Sequence, residues 1–144
     1  MRSLLLIFTL LFSTLMFSSP SHAKWTKVAE GPTVYGPSIT LYIDLERVRK
    51  EDGYVYWWDL VDYTKPFKPG VLSSKSYNQG DCKLFQFKSL SYSEHKEHMG
   101  GGTGVIDNNR HKEWECPPPG TVVELILTVV CNLTTEQSND KVQT

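Results

Sequence analysis

The chain has 144 residues, 40% of them hydrophobic and 12% aromatic, which is enough apolar material for the core of one domain. Its 15 lysines and arginines are matched by 16 aspartates and glutamates, giving a formal net charge of −1 at pH 7. No long basic run interrupts this balance, so we expect no nucleic-acid partner bound through a basic face.

The first 23 residues have the three parts of a secretory signal peptide. Arg2 supplies a positive charge, Leu4–Phe17 is an apolar run, and Ser21 and Ala23 give a small-x-small cleavage pattern. This run is shorter than the roughly 20 residues that span a bilayer as a helix, although a retained N-terminal anchor is the alternative. We therefore expect cleavage near Ala23, export to the periplasm or the medium, and one soluble domain over residues 24–133 without a further membrane span.

Alternating apolar and polar residues predict three strands in the first half of this domain. Trp25–Val28 predicts a short strand, and the alternation over Ile39–Glu46 predicts a half-buried one. Asp52–Gly53 suits a tight hairpin turn into the third strand, Tyr54–Tyr63. Because aromatic residues occupy both faces of Tyr54–Tyr63, we expect it to be a central strand.

The adjacent tryptophans Trp57 and Trp58 on this strand have two interpretations. They would suit a platform on which a ligand stacks, but large aromatic side chains on a strand more often belong to a buried core. We assign the pair to the core and keep ligand stacking as the alternative.

The second half of the domain is predicted to contain further strands. Ser73–Asn78 is polar and suits an edge strand, with Gln79–Gly80 as the turn into a strand over Asp81–Ser93. Val105–Ile106 predicts a short return strand. His111–Cys116 predicts a last strand, ended by the three prolines that follow, since proline cannot donate to a sheet ladder.

Thr121–Cys131 is predicted to be a helix, although its β-branched residues favour a strand. Thr121 and Glu124 form an S/T-x-x-E capping box, and a Pro-Gly pair precedes it. The apolar residues share one helical face, made by Val122, Ile126, Val129, Val130 and Leu133. The polar segment 134–144 has little apolar content and is predicted to be a disordered tail.

Two histidines and a run of glycines between residues 93 and 109 are the nearest approach to a chemical motif. His95 and His98 are candidate metal ligands, but a strand would point them to opposite faces, and the order H-K-E-H does not match the H-E-x-x-H zinc helix. The glycines of Gly100–Gly104 lack the G-K-[ST] ending of a phosphate loop. We therefore predict a flexible turn without a catalytic role, and no metal or other cofactor.

The three cysteines are Cys82, Cys116 and Cys131. In an oxidising compartment we expect one disulfide and one free thiol, while metal binding by all three, the rival interpretation, lacks a C-x-x-C spacing. No serine stands in G-x-S-x-G and no cysteine has the local signature of a nucleophile, so we expect no enzyme. No cysteine lies near the cleavage point, so lipid attachment there is not expected.

The order of these features resembles the surface-adhesin protein E family of bacterial exported proteins. The resemblance covers Trp25–Cys131 and includes the segments LYIDLERV and YVYWWDLVDY and the turn Met99–Gly102. It implies an α+β fold, a single antiparallel β-sheet of about six strands with a C-terminal α-helix packed on it. It also implies that a disulfide between Cys82 and Cys131 tethers the helix, which leaves Cys116 as a free thiol that departs from the family pattern.

Three functions follow from the residues and the resemblance together. The first is an exported, non-enzymatic, adhesin-like module that recognises a protein partner, such as a host matrix or envelope protein, through its sheet. The alternative is a periplasmic small-ligand protein that binds haem or a metal through His95, His98 or the region of Trp57 and Trp58. An exported enzyme would need polar groups that converge in a cleft, which no spacing in the sequence predicts.

Overall fold

The computed structural model describes residues 23–107 and 112–140, and within them seven strands form one antiparallel sheet with one α-helix packed on it. The strands are β1 (Trp25–Gly31), β2 (Ile39–Asp44), β3 (Arg49–Glu51), β4 (Tyr54–Tyr63), β5 (Ser73–Asp81), β6 (Gln86–His95) and β7 (Val105–Ile106). The helix α1 spans Val122–Asp140, and short 3₁₀ turns occupy Leu45–Arg47 and His98–Gly100. The predicted α+β class is confirmed, whereas the expected signal peptide lies outside the described residues except for Ala23.

The strand order is β1-β2-β4-β5-β6-β7, and β3 pairs with the Tyr54 end of β4. The predicted central position of β4 is confirmed, because β2 and β3 share one of its edges and β5 occupies the other. The hairpin between β3 and β4 turns at Asp52 and Gly53, whose φ angles of 51° and 84° are those that Asp-Gly turns favour. The predicted alternation continues in β2 only to Asp44, where the 3₁₀ turn begins.

The prediction of β5 as an edge strand was wrong. β5 lies between β4 and β6, and Gln79 and Gly80 are residues of the strand, paired with Lys88 and Phe87 of β6. The turn falls later, over residues 82–85, where the Asp81 carboxylate accepts hydrogen bonds from the Lys83 and Leu84 amides at 2.9 and 3.0 Å. An aspartate at the start of a turn can accept hydrogen bonds from the amides of that turn. The prediction placed the turn too early because the pair Gln79–Gly80 is also typical of a turn.

The segment after β7 contains less strand than predicted. Within residues 112–116, Glu115 forms a single antiparallel bridge with Phe87, exchanging hydrogen bonds of 2.8 and 2.9 Å. His111, the first residue of the predicted strand, lies outside the described residues. The pairing does not extend beyond Cys116 because residues 117–119 are prolines, which have no amide hydrogen to donate.

The predicted helix start is confirmed. The Thr121 hydroxyl accepts a hydrogen bond from the Glu124 amide at 3.3 Å, and the Glu124 carboxylate accepts one from the Gly120 amide at 2.6 Å. The helix then continues to Asp140, so residues 134–140 are helical where a disordered tail was expected. Thr134, in this added segment, is buried, and its hydroxyl donates to the Val130 carbonyl oxygen at 3.2 Å.

The core lies between α1 and one face of the sheet. Its buried residues are Leu41, Ile43, Val48, Val55, Trp57, Ile126, Leu127 and Val130. Leu127 is absent from the predicted helical face, yet it is fully buried against the sheet. The disulfide between Cys82 and Cys131 is confirmed and ties the turn after β5 to the middle of α1, while Cys116 is an exposed free cysteine.

Candidate functional site

The helix covers only part of the sheet face on which it lies. Beside the disulfide, the side chains of α1 pack directly on Val55 and Trp57. Further along β4 and β5 the same face is left open, and it forms the floor of a cleft of about 560 Å³. The first turns of α1, the loop of residues 33–37 and Phe67 form its walls. We refer to this space as the cleft.

The floor of the cleft is polar. Asp59 is only 8% exposed, and its Oδ2 accepts hydrogen bonds from Trp57 Nε1 at 3.1 Å and from Asn78 Nδ2 at 2.7 Å. Ser76 lies opposite Asp59 on β5, and the next serine on this face, Ser74, shares a hydrogen bond of 3.2 Å with the Tyr63 hydroxyl. Ser74, Ser76 and Asn78 of β5 therefore face the cleft, and these polar residues are one reason why β5 resembled an edge strand.

Burial perturbs the acid at the centre of this floor. Desolvation raises the pKa of Asp59 from 3.8 to about 6, and hydrogen bonds from Trp57, Ser76 and Asn78 offset part of this increase by favouring the carboxylate. A carboxyl group with a raised pKa in a cleft is a common mark of a functional site. Asp59 was not among the candidate site residues predicted from the sequence. The sequence feature that could have identified it is a single acidic residue on a strand face otherwise made of Val55, Trp57, Val61 and Tyr63.

The opposite face of the sheet carries a row of aromatic side chains that α1 does not cover. Trp58 is adjacent to the buried Trp57 and so points the other way, and its ring stacks on Tyr77 with centroids 5.0 Å apart. Tyr56 stacks on the same tyrosine at 6.3 Å. The Arg49 guanidinium lies 5.2 Å from the centroid of the Tyr56 ring and donates to the Tyr77 hydroxyl at 2.8 Å. We refer to Arg49, Tyr56, Trp58 and Tyr77 as the aromatic face.

A second aromatic pair lies at the Tyr54 end of β4. The Trp114 ring stacks on Tyr54 with centroids 5.5 Å apart, and Lys88 Nζ lies 4.7 Å from the centroid of the Trp114 ring.

The prediction that both Trp57 and Trp58 belong to the buried core is correct for one of them. Trp57 is buried core, whereas Trp58 is partly exposed on the aromatic face.

The two candidate metal-ligating histidines anchor a turn. His95 is buried, with Nε2 at 3.0 Å from Ser93 Oγ and Nδ1 at 3.1 Å from the Gly101 carbonyl oxygen. His98 instead forms a 3.0 Å contact with the Asp62 carboxylate through its Nδ1. Burial lowers the pKa of His95, with a smaller contribution from the charge of Lys75. Within residues 23–107 and 112–140, no three His, Cys, Asp or Glu side chains are grouped so as to hold a metal ion.

The glycine-rich turn that follows is fixed to the ends of β4 and β5. The Ser73 hydroxyl donates to the Glu97 carbonyl oxygen at 2.5 Å and accepts from the Gly100 amide at 2.9 Å. The Asp62 carboxylate accepts from the Met99 amide at 2.7 Å. Met99 and Gly100 both have positive φ, 55° and 69°, which explains a glycine here. The segment is a turn between strands, as predicted, but it is anchored by side chains that the sequence did not identify.

None of the helices in the described part of the chain is both long enough and apolar enough to cross a membrane. The described sheet has two surfaces that could carry a function: the cleft beside the helix and the aromatic face on its other side.

Comparisons with known proteins agree on the fold. The family described as Surface-adhesin protein E matches residues 25–132. Crystal form II of Haemophilus influenzae protein E is similar with a TM-score of 0.56 and 16% identity, over 81% of this chain and 94% of that one. The selenomethionine form of that protein gives 0.58 and 15%, over 81% and 93%. Protein E from non-typeable Haemophilus influenzae gives 0.53 and 17%, over 77% and 86%. No curated protein matches the chain at a significant level.

Proposed function

This chain belongs to the surface-adhesin protein E family, and we propose that it is an exported, non-enzymatic, adhesin-like module that recognises a protein partner through the aromatic face. The family match supports an adhesin-like role because it covers residues 25–132, three quarters of the chain. The signal-peptide pattern before Lys24 supports export. The Cys82–Cys131 disulfide is consistent with it, since disulfides persist in oxidising compartments.

The observation that carries this proposal is the composition and order of the aromatic face. Tyrosine, tryptophan and arginine are the residues most often responsible for binding energy at protein interfaces. Here they lie side by side on adjacent strands, outside the hydrophobic core between the sheet and α1. A rigid strand supports each ring, so the row is held in place by the fold itself.

Hydrogen bonds hold these side chains in place before a partner arrives. Arg49 donates to the Tyr77 hydroxyl at 2.8 Å, and Gln79 Nε2 donates to the Tyr56 hydroxyl at 3.0 Å. Side chains that are already ordered lose less conformational entropy on binding, which favours affinity. The aromatic face is therefore suited to a partner that presents a flat, partly apolar surface.

The alternative of haem or metal binding through histidine receives little support from the geometry. His95 is buried with both ring nitrogens in hydrogen-bond contacts, and His98 is paired with Asp62. Trp57 and Trp58 lie on opposite faces of the sheet, so they do not form one stacking platform.

The proposal is tested by measuring binding of the oxidised protein, residues 24–144, to a panel of host matrix proteins, serum proteins and bacterial envelope proteins. Trp58→Ala and Tyr77→Ala should each weaken binding to the retained partner by at least about tenfold, as hot-spot truncations do. Leu125→Ala is the matched control, since Leu125 is 42% exposed on the helix. The proposal fails if both aromatic variants bind as tightly as the unsubstituted protein.

A further inference from the structure

The cleft is acidic. Of the described residues that line it, the charged ones are Asp59 on its floor and Glu115, and none is a lysine, arginine or histidine. A cavity lined by charges of one sign, with low-dielectric walls, concentrates the field of those charges. The cleft therefore favours a ligand of positive charge.

Asp59 has neutral hydrogen-bond partners. Its Oδ2 accepts from the Trp57 indole and the Asn78 amide, neither of which carries a charge, and Ser76 interacts with the same carboxyl group. Buried carboxylates are ordinarily stabilised by a cation or a metal ion, because neutral donors compensate only part of the desolvation cost. A bound cation would supply the compensation that the described residues do not.

The rest of the cleft is apolar and large enough for a small organic molecule. Its volume of about 560 Å³ is within the usual range for small-molecule sites, roughly 300–1,000 Å³. Val122, Val123 and Ile126 of α1 form an aliphatic wall. Tyr63 and Phe67 add a stacked aromatic pair with centroids 5.2 Å apart, a surface that also attracts cations.

We propose that the cleft binds a small organic cation, an amine joined to an aromatic or aliphatic group. Its ammonium group donates hydrogen bonds to the Asp59 carboxylate, and its apolar part lies against the aliphatic wall. No covalent step is involved. This ligand site is on the opposite side of the sheet from the aromatic face, so it is independent of the protein-binding role.

The test compares ligands that differ only in the head group. Tryptamine and octylamine carry an ammonium group, tryptophol and 1-octanol carry a neutral hydroxyl in its place, and indole-3-acetate carries a carboxylate. We expect each amine to bind at least about tenfold more tightly than its alcohol, since a charge-assisted hydrogen bond to a buried carboxylate is the stronger interaction. Titrations followed by calorimetry and by amide chemical shifts measure the affinity and locate the site.

Two variants assign the effect to one carboxylate. Asp59→Asn should weaken binding of both amines by at least about tenfold and leave the two alcohols nearly unchanged. Asp52→Asn removes the same charge from the exposed hairpin turn and should have no effect. The proposal is overturned if neither amine gives saturable binding, if an amine and its alcohol bind equally, if indole-3-acetate binds more tightly than tryptamine, or if the two variants behave alike.

Discussion

A Cβ atom placed on Gly80 of β5 would lie 2.7 Å from Leu127 Cδ1 of α1, closer than side-chain carbons approach one another. The helix therefore packs on the sheet at a position where the strand has no side chain. The same Cβ atom would also lie 2.9 Å from the ring of Trp57, so there is no room for a side chain at this position. This glycine sets how closely the helix approaches the sheet, which explains a glycine near the end of the central strand β5.

We predict that Gly80→Ala destabilises the protein by about 1–3 kcal/mol, the usual cost of adding a methyl group to a packed core. Thermal unfolding measures the loss. Gly31→Ala is the matched control, because nothing lies within 4 Å of a Cβ at that residue of an edge strand. Equal effects of the two substitutions would show that the contact between sheet and helix is less close than described.

We predict that Asp59→Asn stabilises the protein at pH 8. Burial raises the pKa of Asp59 from 3.8 to about 6, so the folded chain binds this proton more tightly than the unfolded chain does. The free energy of unfolding therefore falls as the pH rises from about 4 to 6, and it stays lower above that window. A shift of this size corresponds to about 3 kcal/mol. Melting curves at pH 4 and pH 8 test it.

The gain in melting temperature should be largest at pH 8 and should shrink toward pH 4, where Asp59 is protonated and already neutral. Asp52→Asn, on the exposed turn, controls for the loss of one negative charge. A lower melting temperature for Asp59→Asn at pH 8 would contradict the account. A stabilising variant would also indicate that the native carboxylate is retained for binding at a cost in stability.

The sheet could be predicted from alternation wherever one side of a strand is apolar. β2 and β4 show this clearly, and the Asp52–Gly53 turn that leads into β4 follows from residues adjacent in sequence. β5 could not be assigned in this way, because Ser74, Ser76 and Asn78 face the cleft and make a central strand resemble an exposed one. Whether polar residues of a strand face a cleft or the solvent depends on contacts between residues that are distant in sequence, and alternation does not reveal those contacts.

The candidate site was less accessible to prediction than the fold. His95 and His98 attracted attention by their spacing, yet they hold a turn through contacts with Gly101 and Asp62. Asp59 and Trp58 were correctly predicted to lie on a strand, but their roles depend on which face of the sheet α1 covers. The disulfide came from the family resemblance, since the spacing of three cysteines alone left its partners open.

We predict that loss of the disulfide destabilises the protein by about 4 kcal/mol in the chain-entropy model for a loop of this length. Cys82 and Cys131 are 49 residues apart, and their bond fixes the helix to the turn after β5. Cys131→Ser should lower the melting temperature, and so should reduction of the native protein. Cys116→Ser is the control and should leave stability unchanged, because Cys116 is exposed and free.

The same prediction can be checked by peptide mapping without reduction, which should recover Cys82 joined to Cys131. A peptide that joins Cys116 to Cys131 would contradict the described pairing, as would a full complement of free thiols. Equal stability of the oxidised and reduced proteins would show that the bond adds nothing to the contact between helix and sheet.

We predict that Ser73→Ala loosens the glycine-rich turn. The buried Ser73 hydroxyl both donates to the Glu97 carbonyl oxygen and accepts from the Gly100 amide, so its removal leaves two backbone groups unsatisfied. The expected loss of stability is about 1–3 kcal/mol. Hydrogen exchange at the Gly100 amide should accelerate, while Ser38→Ala, on the loop before β2, should leave that amide unchanged. Unaltered exchange in Ser73→Ala would contradict this anchoring role.

The most direct test of the aromatic face is hydroxyl-radical footprinting of the protein in complex with the matrix, serum or envelope protein that it retains. Oxidation of Trp58 and Tyr77 should fall at least about twofold on binding, as expected for residues at the centre of an interface. Oxidation of Leu125, on the helix, should stay the same. Protection of Leu125 or of Phe67 at the cleft, with Trp58 still fully reactive, would contradict the proposed binding face.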